Sequence, residues 1–108
     1  NLDRYVADKR ETAACYAEFF KGKEDITFFT EPADCKSNYW LNAVVLKDKA
    51  AQLDFLEYTN DHGVMTRPVW ELMNRLPMFE HCETDGLENT EWLADRVVNI
   101  PSSVRLDK

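Results

Sequence analysis

The residues best suited to chemistry lie in one short segment, Gly-Val-Met-Thr-Arg-Pro-Val-Trp over residues 63–70. Arg67 precedes Pro68, and a residue before proline is pushed out of helical geometry into an extended backbone. A guanidinium presented in this way can bind a phosphate or carboxylate with two parallel hydrogen bonds, or stack on a ring. Trp70 follows in the same segment. The pattern predicts either a ligand-binding arginine or a structural one that pairs with an acid or caps carbonyl groups.

Other aromatic and amide side chains are open to the same two interpretations. Tyr39, Trp40 and Trp70 can stack on a base or a sugar ring, although aromatic residues in or beside regular elements more often belong to a core. Asn42 in an apolar strand and Asn74 in a proline-rich segment are more often satisfied by internal hydrogen bonds than used for binding.

Schiff-base, phosphate-loop and metal chemistry find little support in this sequence. The lysines are Lys9, Lys21, Lys23, Lys36, Lys47, Lys49 and Lys108. All are expected on polar faces, in loops or at the chain end, whereas a Schiff-base lysine needs a desolvated pocket. The glycines are isolated, so no phosphate-binding loop is present. The pair His81 and Cys82 has no second pair at metal-ligand spacing.

Composition and charge narrow the class of protein further. The 108 residues are enough for one domain, and the net charge of −7 argues against nucleic-acid binding. The longest apolar run, residues 43–46, is too short to span a membrane. Cys15, Cys35 and Cys82 form no Cys-x-x-Cys motif, which predicts reduced thiols, each buried or half-buried. With no apolar leader at the start, we expect a cytoplasmic protein.

Hydrophobic spacing predicts the elements that position these residues. Apolar residues at steps of three and four predict a helix over residues 2–20, which Gly22 ends. A short strand over residues 26–29 follows, and then a loop. Residues 38–46 predict a strand with two apolar faces, which is typical of a central strand covered on both sides.

The second half of the chain predicts shorter elements. Asp48 is a favourable N-cap for a helix over residues 49–60. Its buried stripe is expected to contain Ala50, Leu53, Phe55 and Leu56. Next come a strand over residues 64–66, a short helix from 69 or 70 to 75, a helix from 88 or 89 to 97 and a strand over 98–100. The expected fold is α+β, with a small, mostly antiparallel sheet packed with helices.

Four separated segments resemble the C-terminal part of the DegT/DnrJ/EryC1/StrS aminotransferases, and most of all their LegC-like branch. They are Ser-Asn-Tyr-Trp-Leu-Asn-Ala-Val-Val over residues 37–45, Gly-Val-Met-Thr-Arg-Pro-Val-Trp over 63–70, Leu-Pro-Met-Phe over 76–79 and Leu-Ala-Asp-Arg-Val-Val-Asn-Ile-Pro-Ser-Ser over 93–103. The resemblance covers nearly the whole chain in the right order.

The resemblance implies a fold type I enzyme in which residues 1–108 are the C-terminal small domain. The large domain, which holds pyridoxal phosphate (PLP) and the Schiff-base lysine, would precede it and has no match here. The chain starts at Asn1, apparently within a helix, which also suggests a piece of a longer protein. The implied reaction is amino transfer, usually from glutamate, to a keto nucleotide-sugar for bacterial surface glycans. The implied assembly is a homodimer with active sites at the subunit interface.

The resemblance also implies that the small domain helps to wall the sugar-nucleotide pocket. The candidate wall residues are Asn38, Tyr39, Trp40, Arg67, Trp70 and Asn74. On this interpretation the chain alone binds no PLP and is inactive. The alternatives are a free-standing, non-catalytic binding or interaction domain and, less favoured, a small metal- or thiol-dependent enzyme.

Overall fold

The computed structural model describes residues 1–105, which form three α-helices, one 3-10 turn and four strands. Their bounds are α1 Leu2–Phe20, β1 Ile26–Phe28, β2 Asn42–Leu46, α2 Lys49–Asp61, β3 Arg67–Pro68, the 3-10 turn Met73–Arg75, α3 Glu88–Ala94 and β4 Val97–Ile100. The fold is α+β, as predicted, and its elements follow the predicted order.

The four strands form one antiparallel sheet in the order β1-β2-β4-β3. Phe28 pairs with Val44, and Val44 pairs with Val98 on its other side, so one row of apolar residues crosses three strands. β2 is therefore a central strand, as its two apolar faces predicted. β3 lies at an edge of the sheet, where Pro68 is tolerated because an edge strand does not need every backbone N–H for pairing.

A small apolar core covers this row. Its buried members are Ala13, Phe28, Val44, Leu46, Val98 and Ile100. Helix α1 contributes Tyr16 and Phe20, whose rings lie 5.8 Å and 6.3 Å from the ring of Phe28. Helix α2 contributes Ala51, Phe55 and Leu56 to the same cluster. The core is modest in size for the chain, and many large apolar side chains stay outside it.

The first two helices each begin after a capping side chain, and the cap of α2 is the predicted one. The side chain of Asn1 accepts from the backbone N–H of Arg4 at the start of α1. At the start of α2, Asp48 Oδ1 accepts from the N–H of Ala51 at 2.8 Å. Gly22 follows α1 with φ of 79°, a left-handed conformation that glycine adopts at little cost.

The predicted buried stripe of α2 is half wrong. Ala50 and Leu53 are exposed, whereas Phe55 and Leu56 are partly buried as expected. The most buried side chain of the helix is Gln52, which is 0% exposed. Its Nε2 donates to the carbonyl oxygens of Ala94 and Val97, both at 2.9 Å. Because this amide must face its two acceptors, the buried face of α2 is not the one that apolar spacing predicts.

Three predicted boundaries also change, each for a local reason. β2 begins at Asn42 and not at 38, because Tyr39 has φ of 48° and cannot continue an extended strand. The third strand is β3 and not residues 64–66, because the hydroxyl of Thr66 bonds to the end of α2. The predicted helix from 69 or 70 shrinks to the 3-10 turn, because Leu72 before it is extended, with ψ of 138°.

The last helix also ends earlier than predicted. α3 stops at Ala94, and β4 starts at Val97. Arg96 lies between them and donates from Nη1 to the carbonyl oxygen of Trp92 and from Nε to that of Lys47. The first bond satisfies a carbonyl group in the last turn of α3, and the second ties this turn to the residue after β2, so the chain can turn directly into the strand.

Candidate functional site

A cleft of about 670 Å³ opens where α1, the loop before β2, β3 and the end of β4 meet. We call it the tryptophan cleft. It is lined by Lys9, Trp40, Leu41, Met65, Arg67, Pro68, Trp70, Asn99, Ile100, Pro101, Ser102 and Ser103. Of the described residues that line it, two are cationic and none is acidic, so the cleft favours an anionic ligand.

Two tryptophans form its aromatic wall. The rings of Trp40 and Trp70 lie 6.4 Å apart at an interplanar angle of 29°. Their exposed fractions are 64% and 70%, so neither belongs to the core. Exposed, stacked indoles can hold a flat ring against them at low entropic cost, since each has only two side-chain torsions.

Arg67 is anchored at one end of its guanidinium. Nη1 donates to the carbonyl oxygen of Thr66 at 2.8 Å and to Oδ1 of Asn60 at 3.2 Å. Asn60 is itself fixed, because its Nδ2 donates to the carbonyl oxygen of Leu56 and to Thr66. Within residues 1–105 no ion pair joins Arg67 to a carboxylate, and its Nε and Nη2 bond to no acceptor. These N–H groups remain for an anionic ligand.

Lys9 is a cleft residue that the sequence did not indicate. Its Nζ donates to the carbonyl oxygens of Ser102 at 2.7 Å and Trp40 at 3.2 Å. The lysine therefore ties α1 to both sides of the cleft. Its spacing in α1 does indicate a polar position, but the loop and strand end that it reaches are distant in sequence, so no local pattern could reveal the contact.

The other predicted wall residues do not line the cleft. Asn38 is exposed, and its Oδ1 accepts from the N–H of Trp40 at 3.0 Å. Tyr39 is half-buried under the Arg10 guanidinium, and its hydroxyl accepts from the N–H of Glu31. Asn74 lies in the 3-10 turn. Thus the structure brings Trp40, Arg67 and Trp70 together, while Asn38 and Tyr39 shape the loop that precedes them.

The two asparagines expected to be satisfied internally are only partly so. The backbone N–H and Nδ2 of Asn42 donate to Ser102 Oγ, at 2.8 Å and 3.3 Å. Its Oδ1 and that of Asn74 are buried without a hydrogen-bond partner among the described residues. Since Ser102 Oγ also donates to the carbonyl oxygen of Ile100, it is occupied and is not placed to act as a nucleophile.

The cleft therefore offers hydrogen-bond donors and aromatic rings to a ligand. The described residues do not hold a group of three or more His, Cys, Asp or Glu side chains placed to bind a metal ion. The three cysteines are free and exposed, which corrects the expectation of buried or half-buried thiols. No helix within residues 1–105 is long and apolar enough to cross a membrane.

Comparison with known proteins identifies the family of the chain. The sequence profile of the DegT/DnrJ/EryC1/StrS aminotransferase family matches residues 1–108. The chain belongs to this family. No curated protein sequence matches it. The family resemblance of the four separated segments is thus confirmed.

Several solved structures contain a domain with the fold of this chain. One is the aminotransferase TlmJ from Streptoalloteichus hindustanus, with 20% identity and a TM-score of 0.84 over 94% of this chain and 27% of that protein. Another is the sugar aminotransferase CalS13 from Micromonospora echinospora, with 24% identity and a TM-score of 0.77 over 94% of this chain and 26% of that protein. A third is the E. coli GDP-4-keto-6-deoxy-D-mannose-3-dehydratase with bound hydrated PLP, at 16% identity and a TM-score of 0.74 over 94% and 27%.

The described residues do not fit PLP as a Schiff-base partner. Such a lysine must present an uncharged amine in a desolvated site. Lys9 is the one lysine lining the tryptophan cleft, and its ammonium already donates to two carbonyl oxygens. The remaining described lysines, Lys21, Lys23, Lys36, Lys47 and Lys49, are exposed, and Lys108 lies outside the described residues.

Proposed function

We propose that this chain is the C-terminal small domain of a PLP-dependent aminotransferase that aminates a keto nucleotide-sugar, and that the tryptophan cleft helps to wall the pocket for that substrate. The family match over all 108 residues supports the reaction class. The chain spans about a quarter of the length of the solved structures it matches, 27% for TlmJ and 26% for CalS13, which supports the assignment as one domain of a larger enzyme.

The observation that carries the proposal is the arrangement of Arg67 beside the tryptophan pair. A nucleotide-sugar offers a diphosphate and a flat base, and the cleft offers the complementary groups. The Arg67 guanidinium has donors to spare for phosphate oxygens, and Trp40 and Trp70 present exposed rings for stacking. Asn38, Tyr39 and Asn74 are proposed to act on this pocket through the shape of its rim, since they do not line the cleft itself.

The cofactor site, the amino donor, the assembly and the location are further parts of the proposal, and they concern the whole enzyme. We place PLP and the Schiff-base lysine in a large domain that precedes residue 1, which agrees with the poor fit of the described lysines to that cofactor. Glutamate is the proposed amino donor, a homodimer the proposed assembly, and the cytoplasm the proposed location. The product would be an amino sugar for bacterial surface polysaccharides.

Nucleotide binding by the chain tests the role of the cleft. The chain is titrated with UDP and with dTDP, and binding is followed by tryptophan fluorescence and by NMR shifts of the indole N–H groups. We expect saturable binding that shifts the signals of Trp40 and Trp70 and leaves Trp92, which lies on α3, unchanged. Binding that shifts none of the three, or no binding, would contradict the cleft assignment and favour a non-catalytic interaction domain.

Cofactor chemistry and the parent gene test the division into domains. PLP is added to the chain, the mixture is reduced with borohydride, and lysines are mapped by mass spectrometry. We expect scattered, substoichiometric labelling; one stoichiometrically labelled lysine within the chain would contradict the proposal. The sequence encoded upstream of Asn1 should contain the Schiff-base lysine, and the complete protein should convert a keto nucleotide-sugar to its amine with glutamate.

A further inference from the structure

The loop that presents Trp40 is closed by one carboxylate. We call residues 31–40 the presenting loop; it has no helix or strand. Glu31 at its start binds the Arg10 guanidinium through both oxygens, at 2.8 Å and 2.9 Å. The same carboxylate accepts from the backbone N–H of Ser37 at 2.6 Å. The start and the end of the loop therefore meet on a single side chain.

Arg10 and Tyr39 complete the closure. Arg10 Nη1 also donates to the carbonyl oxygen of Ser37 at 2.6 Å, and its guanidinium lies 5.6 Å from the centre of the Tyr39 ring. The Tyr39 hydroxyl accepts from the N–H of Glu31 at 2.9 Å, while its own N–H donates to Ser37 Oγ. The backbone of Tyr39 is held at φ of 48°, which breaks the extended conformation just before Trp40.

Lys9 and Arg10 are adjacent cations on α1, and each fixes a different part of the presenting loop. Arg10 holds the loop before Tyr39, and Lys9 holds the carbonyl group of Trp40. Trp40 itself is 64% exposed, and its ring partner is Trp70, not a core residue. A loop built only to complete the core would not need this number of bonds to place an exposed ring.

We propose that Arg10 and Glu31 are positioning residues, which hold the presenting loop so that the Trp40 ring stands against Trp70 and completes the ring-binding wall of the tryptophan cleft. The relevance to a nucleotide-sugar rests on the proposed function. The positioning of the Trp40 ring does not depend on that function, so an experiment can contradict either claim without the other.

Circular dichroism reports the relative position of the Trp40 and Trp70 rings and needs no ligand. Stacked indoles give an exciton couplet, and the chain has one further tryptophan, Trp92, which a Trp92→Phe background removes. In that background we expect Glu31→Gln and Arg10→Gln to lose most of the couplet and to raise quenching of Trp40 fluorescence by acrylamide. Trp40→Phe removes one ring of the pair and so gives the signal expected without a couplet. Glu71→Gln, which breaks the exposed pair of Glu71 with Arg75, is the matched control and should keep the couplet.

The couplet of the double variant and the helix signal of each variant distinguish a positioning role from a general loss of stability. Because both side chains hold the same loop and bond to each other, the couplet lost by the Arg10→Gln and Glu31→Gln double variant should be smaller than the sum of the two single losses. Unchanged far-ultraviolet helix signal with a lost couplet supports the proposal. A couplet as large as in the control overturns it, and so does a loss of the couplet only together with the helix signal.

Ligand titration connects the positioning to binding. If the chain binds UDP, Glu31→Gln should weaken that binding by about threefold or more, since the ligand must then order the loop itself. Unweakened binding with a lost couplet would overturn the claim that the pair serves the wall. If the unaltered chain binds no UDP and Glu31→Gln still loses the couplet, the positioning stands and the proposed function fails.

Discussion

Arg67 and Asn99 stand directly opposite each other in the antiparallel pairing of β3 with β4, and both line the tryptophan cleft. The sheet therefore fixes the backbone of Arg67, while Asn60 and the carbonyl group of Thr66 fix its side chain. An arginine fixed at its backbone and through Nη1 loses little freedom when a ligand binds, so more of each hydrogen bond appears as affinity.

Arg67→Ala should weaken binding of UDP to the chain by about tenfold or more, because a charge-assisted contact contributes roughly 1.5–3 kcal/mol. Titration calorimetry measures the affinity. Arg75→Ala is the matched control, since Arg75 is paired only with the exposed Glu71 at 3.6 Å and does not line the cleft. It should bind UDP as the unaltered chain does.

In the complete enzyme, the same Arg67→Ala change should raise KM for the keto nucleotide-sugar. The cofactor absorbance and the half-reaction with glutamate should change little, because this chain's residues do not fit PLP. A variant that melts several degrees lower while keeping its nucleotide affinity would show that Arg67 is a structural residue.

Acid should weaken the closure of the presenting loop by protonating Glu31. The hydrogen bonds from Arg10, and then the Ser37 N–H, lower the pKa of Glu31 from 4.5 to about 2. Because this pKa is lower in the folded chain, the ionised carboxylate stabilises the fold fully above about pH 4.5, and this contribution is lost as pH falls toward 2. Thermal melts and tryptophan quenching from pH 7 downward measure the effect.

Glu31→Gln isolates that carboxylate. It should melt lower than the unaltered chain at pH 7, and the difference between the two should shrink as the pH falls through the window from 4.5 toward 2. A difference that stays constant over this window would assign the acid sensitivity to other carboxylates.

Gln52→Leu should destabilise the chain despite adding an apolar side chain to the interior. Removing the amide leaves the carbonyl oxygens of Ala94 and Val97 without their donor, at a cost of about 1–3 kcal/mol for a buried group. Urea unfolding measures the free energy. Glu57→Ala on α2 is the control, since Glu57 is exposed, and it should change stability by less than about 0.5 kcal/mol.

The chain alone should self-associate through the apolar side chains of the segment around the 3-10 turn. Trp70, Met73 and Met78 are 70%, 62% and 62% exposed. Exposed apolar patches of several hundred Å² usually mark an interface. Sedimentation should show concentration-dependent association, and Met73→Glu with Met78→Glu should reduce it.

Leu53→Glu on α2 is the control for that experiment. Leu53 is 53% exposed but lies outside the segment, so its replacement should leave the association unchanged. A strict monomer that binds no dye for apolar surfaces would contradict the prediction.

Periodicity predicted the elements with strong local patterns. The range of α1, the Asp48 cap of α2 and the central place of β2 all follow from apolar spacing or a capping side chain, which act over a few residues. Proline before Trp70 likewise indicated the exposed corner at Arg67. For these features the sequence signal and the structural cause are the same.

Long-range hydrogen bonds explain what was missed. Gln52 is buried because its partners lie at the end of α3 and in β4, and Lys9 reaches the cleft because Ser102 returns to α1. Tyr39 leaves the strand pattern because Glu31 and Ser37 hold it. A side chain whose position depends on a partner far along the chain carries no periodic signal in the sequence. Some of the residues that line the cleft are of this kind.

The position of β4 between β2 and β3 has a consequence for synthesis on the ribosome. Of the described strands, Val97–Ile100 is the last to leave the exit tunnel, yet it supplies the pairing partner of both neighbours. Until it emerges, the nascent chain has only the β1–β2 hairpin, which is marginal by itself, and β2 presents an unpaired edge. The sheet therefore cannot be completed until β4 has emerged, and before then the exposed edge of β2 favours aggregation.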